Sequence, residues 1–583
     1  MAAVETLITD HLDLWTAALK RKATAGRGSS SKVELYGINK LRELILELAV
    51  RGLLVPQDPN DEPASELLRK IAAEKAKLLK EGKIKKDKPL PSITEDEKAF
   101  KLPEGWHWAK LGMLMEMFNG RAFSQTEWSS DGLPIIRIQN LNDKNAPFNY
   151  FNGDVSENNY VEPGTFLISW SGTPGTSFGA FVWSGAPGVL NQHINKCIIF
   201  GDEINKQYLR LAVNGCMDHL IESAQGGVGL KHVTKGTLNN CVVAIPPLAE
   251  QHRIVAKVDE LMALCYQLEQ ETEASLGAHQ TLVETLLSAL TSAADHAQFA
   301  SAWQRIAGHF DTLFTTEESI AQLKQTILQL AVMGKLVPQD PNDEPASELL
   351  KKIAAEKAKL VKEGKIKKEK PLPPIESEEK IFELPTGWSY CRLDEICLGV
   401  TSGSTPPQSE FSENSGVPYL KVYNIRNQAI DFEYKRQFIS EQYSATKLKK
   451  SILYPGDVVM NIVGPPLGKV AIIPGSYPQW NCNQAIVFFR PAFLSLGNFI
   501  YTYLKAGLFL KNIELIGTAG QDNISVTKSR SIALPMPPLN EQHRIVAKVD
   551  ELTALCDQLK SRLSDAQTTQ LHLADALVEQ AIG

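Results

Sequence analysis

The stretches of this chain that come nearest to nucleotide-binding motifs are short runs of glycine and proline. The run Gly464–Lys469 (GPPLGK) approaches a phosphate-binding loop. It is one residue short, its prolines lack the N–H groups that would hold phosphate, and Val470 stands where Ser or Thr is needed. The run Gly226–Gly229 (GGVG) follows a predicted helix rather than a strand and has no acidic partner about 20 residues later. We interpret the first run as a tight turn and the second as a flexible loop.

Other catalytic and metal-binding motifs are also missing from the sequence. Adenine methyltransferases need an (N/D)PP(Y/F/W) loop to hold a flipped base, and paired prolines such as those in IPPL, MPPL, TPPQ and GPPL do not match it. The acidic-x-Lys elements of nucleases occur only as chance pieces such as Glu81-Gly82-Lys83. His252 and His543 have no metal-ligand spacing, and none of the eight cysteines falls in a CxxC pair. The sequence therefore predicts no catalytic residue and no metal site.

Length and composition are typical of a soluble chain with several domains. The chain has 583 residues, of which 43% are hydrophobic and 22% charged. It has neither a signal-peptide pattern at its start nor an apolar run of about 18 residues, so we expect a cytoplasmic protein without a membrane segment. The net charge of −6 is unusual for a nucleic-acid-binding protein, so any basic surface must be local or supplied by a partner.

The motif that organises the chain is EQHRIVAKVDEL, which occurs at Glu250–Leu261 and again at Glu541–Leu552, each time after Pro-Pro-Leu. Each copy begins a segment whose apolar residues are spaced alternately by four and three, as in a coiled coil. We therefore predict two long helices, from Glu250 to about Leu290 and from Glu541 to about Leu577. The predicted seams are Ile254, Val258, Leu261, Cys265 and Leu268, and Ile545, Val549, Leu552, Cys556, Leu559 and Leu563, with Leu573 and Leu577 in register.

A second repeat precedes each of two longer segments. Residues 48–91 and 330–373 are related by a constant offset of 282 and differ at five of 44 positions, which indicates a duplication. Each copy is predicted to end one amphipathic helix at Gly52 or Gly334 and to contain a second helix that ends at Gly82 or Gly364. The basic tails that follow, Lys83–Pro89 and Lys365–Pro371, favour a solvated linker, with phosphate contact as the alternative. The first amphipathic faces are Ile38, Leu41, Ile45 and Leu48, and Ile320, Leu323, Ile327 and Leu330.

The segments between the repeats, Phe100–Pro246 and Phe382–Pro537, resemble each other only sparsely. Both begin with FxLPxGW and contain short β-rich runs broken by Gly, Pro and Asn, with a helical stretch near the end. We predict that each forms one α+β domain. The predicted strands are Leu133–Ile138, Thr165–Trp170, Val417–Val422, Asp457–Ile462 and Ala485–Phe489, and the helical stretches are Gln207–Ser223 and Gly497–Ile516.

The repeated order of arm, domain and long helix, with FxLPxGW before each domain and (I/M)PPLxEQHRIV after it, resembles the specificity subunit of type I restriction–modification systems over essentially the whole chain. The resemblance implies an α+β fold in which two α/β target recognition domains alternate with two long helices. These helices would pair as an antiparallel coiled coil and give a pseudo-twofold internal repeat. The expected regions are an N-terminal helical arm (1–99), recognition domain 1 (100–248), a central region (249–381), recognition domain 2 (382–539) and a C-terminal helix (540–583).

The same resemblance implies the partners. The chain would bind double-stranded DNA, two modification subunits that use S-adenosylmethionine to methylate adenine N6, and two restriction subunits that need ATP and Mg²⁺ to cleave DNA. The chain itself would hold no cofactor, would not be an enzyme and would not contact a membrane. Because the two domains differ, the DNA target would be bipartite and asymmetric.

Base contacts are expected from polar loop residues. In the first domain these are Arg137, Gln139, Asn140, Ser171, Thr173, Gln192, His193, Lys231 and Lys235. In the second they are Lys421, Tyr423, Asn424, Lys469, Gln484, Gln521, Asn523 and Lys528. Because Asn140 and Gln192 recur as Asn424 and Gln484, shared structure or phosphate positioning is the alternative for these four. Partner binding is expected at the start of each long helix, at Glu250, Gln251, His252, Arg253, Glu541, Gln542, His543 and Arg544.

Two other classes of function remain as alternatives. In one, the coiled coil is itself the function, and the chain is a scaffold whose domains bind proteins. In the other, the chain is a self-sufficient nuclease or methyltransferase, which the missing catalytic loops disfavour.

Overall fold

The computed structural model describes residues 2–22, 32–84, 89–143, 145–172, 178–216, 231–513, 515 and 522–582. The chain forms two compact units, Met1–Ser275 with Ala566–Gly583, and Leu276–Asp565. The first long helix (Leu248–Ser292) and the second long helix (Leu539–Ile582) both continue from one unit into the other. Each unit therefore contains the beginning of one long helix and the end of the other. Among the described helices, none is long and apolar enough to cross a membrane.

The first unit begins with a helical arm whose elements follow the predicted pattern. The first arm helix, Tyr36–Arg51, buries the predicted apolar face and ends at Gly52, where the backbone is left-handed (φ 73°). The helix Ala64–Lys80 follows the PQDPNDEP turn. The other described helices of this unit are Ala2–Thr9, Leu12–Ala17, Leu111–Leu114, Ile138–Asn142, Lys206–Gly215 and Lys235–Asn240.

The first domain is built on two four-stranded sheets. One is antiparallel, in the order Gly179–Val182, Phe166–Ser169, Ile194–Ile199 and Met115–Asn119. The other has the order Asn149–Phe151, Leu133–Ile136, Gly188–Leu190 and Tyr160–Val161, and its central pair is parallel. Two-stranded sheets of this domain pair His107–Lys110 with Val242–Ile245 and Ser171–Gly172 with Lys231–His232. In the N-terminal arm, Lys20–Lys22 pairs with Lys32–Glu34.

The second unit repeats this plan. Its antiparallel sheet has the order Cys397–Ser402, Ile486–Pro491, Val458–Asn461 and Val470–Ile472. Its mixed sheet has the order Phe411–Ser412, Phe438–Ile439, Val417–Leu420, Trp480–Cys482 and Ile452–Leu453, and Val417–Leu420 runs parallel to Trp480–Cys482. Two-stranded sheets pair Ser389–Arg392 with Ala533–Met536 and Ile425–Arg426 with Ala429–Ile430. The described helices are His296–Gly308, Phe310–Leu313, Glu317–Val332 (the second arm helix), Ala346–Lys362, Leu393–Ile396, Glu441–Thr446, Gly497–Ala506 and Val526–Ser531.

A short helix pair before each arm helix extends the duplication beyond the predicted repeat. Ala2–Thr9 and Leu12–Ala17 precede the first arm helix, and His296–Gly308 and Phe310–Leu313 precede the second. Ile8 and Ile306 are both buried and occupy matching positions in the two helix pairs. In the residues that follow them, the two copies share only one histidine and one aspartate. Such sparse identity is too weak to be recognised without the structure.

Within each unit, the two long-helix segments run in opposite directions. In the first unit the arm helix is antiparallel to the first long helix and parallel to the second. In the second unit the arm helix is parallel to the first long helix and antiparallel to the second. The contacts that define these directions are Arg42 with Glu269, Gln57 with Glu250, Tyr36 with Asp575 and Arg51 with Ile582. In the second unit they are Gln322 with Glu284, Lys335 with Thr291, Lys324 with Asp557 and Gln339 with Glu541.

The buried face of each long helix repeats every 29 residues rather than every 28. Ile254, Val258 and Leu261 are buried, and so are Val283, Leu287 and Leu290, each 29 positions later. In the second helix Ile545 and Ala574 are buried, whereas Leu573 is 50% exposed, so the prediction that Leu573 stays in register is wrong. Eight turns of 3.6 residues are about 29 residues, while four heptads are 28, so a helix without supercoil moves its face by one position over this length.

Candidate functional site

The two recurring asparagines hold a turn at one edge of each mixed sheet. Asn140 accepts a hydrogen bond from the Arg137 N–H (3.0 Å) and donates to the Ala146 carbonyl (3.1 Å). Asn424 accepts from the Lys421 N–H (2.9 Å) and donates to the carbonyls of Asp431 (3.2 Å) and Tyr434 (2.8 Å). Both asparagines are buried, so they shape the loop and are not available to bases. The structure thus favours the shared-structure alternative for this pair.

The residues beside these asparagines are at least partly exposed. Arg137 lies over the Trp128 ring (5.7 Å), and Lys421, at the same place in the second domain, lies over the Phe411 ring (4.9 Å). Gln139 is exposed, and Tyr423 is half-buried. Each domain therefore presents a cation held against an aromatic ring at the same turn.

A second loop meets this turn because the central strands of each mixed sheet are parallel, so that their carboxyl ends lie at the same edge. The Asn191 N–H donates to the Ile136 carbonyl (3.0 Å), and the Asn483 N–H donates to the Leu420 carbonyl (3.0 Å). These bonds bring the exposed Gln192 and Gln484, which follow the two asparagines, next to the first turn. His193 is half-buried, and its ring packs against Trp170.

The remaining predicted DNA-binding residues are not all at this edge. Ser171 is buried, and Lys235 forms an ion pair with Glu116 (2.9 Å). Lys528 lines a cavity of about 240 Å³ together with Glu379. Asn523 forms an isolated bridge with Val463. Thr173, Gln521 and the side chain of Lys231 lie outside the described residues, as do the run Gly226–Gly229 and residues 85–88 of the first basic tail.

The run Gly464–Lys469 is a tight turn, as predicted. Asn461 accepts a hydrogen bond from the Lys469 N–H (2.7 Å) and donates to the carbonyls of Gly464 (3.3 Å) and Pro466 (2.9 Å). The N–H of Lys469 is therefore used inside the turn rather than offered to a phosphate.

The start of each long helix is a hydrogen-bonded junction that recurs in both units. Glu250 accepts from Trp106 Nε1 (3.0 Å) and from Gln57 Nε2 (3.1 Å). Glu541 accepts from Trp388 Nε1 (3.0 Å) and from Gln339 Nε2 (3.2 Å). Each junction joins a long helix to the arm and to the FxLPxGW motif, which explains why these three sequence motifs occur together.

The glycine that ends each arm helix belongs to the same junction. A Cβ atom on Gly52 would lie 2.6 Å from Pro103 and 2.7 Å from the Trp106 ring, and one on Gly334 would lie 2.5 Å from Pro385. Both glycines also have positive φ angles. Only glycine allows the arm helix to end this close to the domain.

The junctions change the interpretation of the predicted partner-binding residues. Glu250, Gln251, Glu541 and Gln542 are at most 1% exposed, so their side chains make contacts within the chain instead of facing a partner. The side-chain amides of Gln251 and Gln542 donate hydrogen bonds to the carbonyls of Pro246 (3.0 Å) and Pro537 (2.9 Å). These bonds satisfy carbonyls that the Pro-Pro segment leaves without a backbone partner. Arg253 and Arg544 form ion pairs with Asp61 (2.6 Å) and Asp343 (2.7 Å). His252 and His543 are exposed.

Removing one junction carboxylate is expected to destabilise the protein. In Glu541→Ala, the buried indole N–H of Trp388 and the amide of Gln339 lose their shared acceptor, and we expect a loss of about 2–4 kcal/mol in the free energy of unfolding. Denaturant titration measures this loss. Glu551→Ala, which removes an exposed carboxylate paired with Lys548, should cost less than about 0.5 kcal/mol. Equal losses in the two variants would contradict a structural role for the junction.

The junction carboxyls also predict a pH dependence. Burial raises the pKa of both Glu250 and Glu541 above the ordinary glutamate value. The folded chain therefore binds more protons than the unfolded chain between the ordinary and raised pKa values, so the free energy of unfolding falls as pH rises through this window. The double variant Glu250→Gln, Glu541→Gln should show a weaker pH dependence of its melting temperature across that window. A variant whose melting curve shifts with pH as much as the wild type does would contradict this assignment.

The fold and the two edges define a class of protein in which one chain carries two α+β domains of similar framework and different side chains on duplicated helical segments. A family model described as the type I restriction modification DNA specificity domain matches residues 103–278 and 385–566. The chain belongs to this family, whose members are the specificity components of restriction–modification systems and not their catalytic subunits.

Individual relatives match the chain over its full length. The type I restriction enzyme EcoAI specificity subunit of Escherichia coli is 44% identical over 593 residues, covering 100% of both chains. The EcoEI specificity subunit of the same organism is 42% identical over 607 residues, again covering 100% of both. A crystal structure of the HsdS subunit from Thermoanaerobacter tengcongensis has a TM-score of 0.40 and 18% identity, and covers 83% of this chain and 98% of that one. The assignment to the family rests on the sequence matches.

Proposed function

We propose that this chain selects DNA sequences for a type I restriction–modification complex, and that each recognition domain, 100–248 and 382–539, reads one half of a bipartite, asymmetric target. One observation carries this proposal. The edge formed by the two loops has the same buried asparagine in both domains, whereas the side chains beside it differ: Arg137 and Gln139 in the first domain, Lys421 and Tyr423 in the second. Gln139 is exposed, and the other three are half-buried. Two domains that share the same loop framework but carry different side chains beside it are suited to recognising different base sequences.

The test is to map adenine methylation in the host with and without this gene. We expect one bipartite sequence to lose methylation when the gene is deleted. Binding by the purified chain with its modification subunit should show the same preference. If DNA binding shows no sequence preference while the domains capture a protein, the chain is a scaffold and the proposal is wrong.

We further propose that the scaffold binds two modification subunits, which carry S-adenosylmethionine, and that two restriction subunits supply ATP- and Mg²⁺-dependent cleavage. The near-identical junctions support two equivalent sites, because His252 and His543 are exposed at the same position of each long helix. Four residues at the start of each long helix were predicted to bind a partner. The histidine is the most exposed of the four in each helix.

The chain alone is expected to show no methyl transfer and no DNA cleavage. It lacks the (N/D)PP(Y/F/W) loop, and its nearest approach to a phosphate-binding loop is occupied by its own hydrogen bonds. Transfer of radiolabelled methyl groups from S-adenosylmethionine to DNA, and nicking of plasmid DNA, are the measurements. Turnover by a partner-free preparation that mass spectrometry shows to be pure would contradict the assignment.

A further inference from the structure

The second domain carries a β-hairpin beside its asparagine turn. Asn424 closes its loop at Asp431 and Tyr434, whereas Asn140 closes the corresponding loop at Ala146 and Pro147, so the second loop is longer. The hairpin, Ile425–Arg426 with Ala429–Ile430, lies within this longer loop.

The hairpin is held in place at its tip. Gln428 accepts a hydrogen bond from the Val470 N–H (2.7 Å), and its carbonyl accepts one from the Tyr501 hydroxyl (2.9 Å). Three non-glycine residues in this loop, Asn427, Gln428 and Lys435, have φ angles between 49° and 59°. Left-handed backbone at such residues costs free energy and is often found where function requires a particular shape.

The outward surface of the loop is a cation–aromatic patch, which we define as Lys421, Tyr423, Arg426, Tyr434 and Lys435. The Arg426 guanidinium lies 4.1 Å from the Tyr434 ring centre. Lys435 lies 5.7 Å from the Tyr423 ring and 5.5 Å from the Tyr434 ring. Arg426 also forms an ion pair with Asp431 through its Nε atom (3.4 Å). Arg426, Tyr434 and Lys435 are exposed, so the rings and this carboxylate hold the cations in position without removing them from solvent.

The charge of this segment opposes that of the whole chain. Residues 421–436 contain four cations (Lys421, Arg426, Lys435 and Arg436) and two carboxylates (Asp431 and Glu433), a net charge of +2 in a chain of net charge −6. A local basic surface on an acidic chain is what DNA binding would require here.

We propose that the cation–aromatic patch binds phosphates of the DNA backbone beside the bases that the second domain reads, and so positions this domain on the duplex. This inference rests on the proposed function and adds Arg426, Tyr434 and Lys435, which sequence patterns did not indicate, to the predicted residues Lys421 and Tyr423. An arginine stacked on a ring has already lost much of its rotamer freedom, and it can offer its N–H groups to phosphate oxygens in pairs. The Lys435 ammonium is a compact point charge, which suits a phosphate better than a base edge.

The test compares two single variants, Arg426→Gln and Lys435→Asn, the latter because asparagine tolerates left-handed backbone. Each full-length variant, assembled with the modification subunit, is titrated over a range of salt concentrations with two DNA duplexes. One duplex carries the target found by methylation mapping, and the other carries a scrambled sequence. We expect each variant to bind both duplexes more weakly, and the slope of log K against log salt to flatten by about 0.9 for each phosphate that the variant no longer neutralises.

Lys351→Gln is the matched control, because Lys351 is 72% exposed on the helix Ala346–Lys362 of the arm and the variant removes the same charge. Its salt slope should equal that of the wild type. Arg426→Lys, which keeps the charge, should keep the slope and so separates removal of the charge from a failure to fold.

Three outcomes would overturn the inference. The slopes of both variants could equal that of the wild type, the control could flatten the slope as much as they do, or Arg426→Gln could change the methylated sequence, which would make it a base-reading residue. The proposed function fails separately, when the wild type binds the target and scrambled duplexes equally. The salt slopes on the scrambled duplex still test the patch in that case.

Discussion

Replacing residues 382–537 by the corresponding segment of a relative is expected to change one half of the DNA target and to leave the other half unchanged. The two ends of this segment lie side by side, because Ser389–Arg392 pairs antiparallel with Ala533–Met536. Both ends of the exchanged segment therefore lie near the same two-stranded sheet. Each mismatched base pair costs about 1–3 kcal/mol, so a domain that reads several bases should move the preference for its half-site by several orders of magnitude.

Methylation mapping in a host that carries the exchanged gene measures the outcome. The matched control replaces residues 100–246, whose ends are joined in the same way by His107–Lys110 and Val242–Ile245, and it should change the opposite half. The donor must keep the tryptophan of FxLPxGW, because Trp106 and Trp388 donate to the junction carboxylates. If either exchange alters both halves, the domains do not read DNA independently.

Lengthening both long helices by one heptad is expected to lengthen the unread spacer between the two half-sites. Seven residues add about 10 Å of helix, which corresponds to about three base pairs of rise. The insertion points are after Ser275 and after Asp565, where each helix passes from one unit to the other. No side chain between Cys265 and Val283, or between Cys556 and Ala574, is buried, so the insertions leave the core of each unit intact.

The measurement is again the methylated sequence, with each half-site read separately from the spacer. We expect both half-sites to be retained with a longer spacer, or DNA binding to be abolished while the modification subunit still binds. A heptad inserted into the first helix alone is the matched control, since it makes the two helices unequal and should reduce assembly. An unchanged spacer with full activity in the doubly lengthened protein would show that the helices do not set the distance between the domains.

The order of arms, domains and long helices could be predicted from the sequence, because both copies of each duplicated motif are recognisable in it. The motif at Glu250 and Glu541 marked the long helices, and the structure places them at Leu248–Ser292 and Leu539–Ile582. The apolar faces that begin at Ile38 and Ile320, and the glycine helix ends, were also confirmed. These features depend on neighbours a few residues away, which the sequence displays directly.

The tertiary structure alone decided which recurring polar residues serve the fold. Asn140 and Asn424 recur because each closes a loop by donating to a backbone carbonyl six or ten residues away. Glu250 and Glu541 recur because each accepts a hydrogen bond from a tryptophan indole 144 or 153 residues away in the sequence. Periodicity in the sequence could not show whether the seam of the second long helix continues at Leu573 or Ala574, because that depends on whether the helix supercoils. The cation–aromatic patch could not be predicted from the sequence either. The contact of the Tyr434 ring with Arg426 depends on the closure of the loop by Asn424.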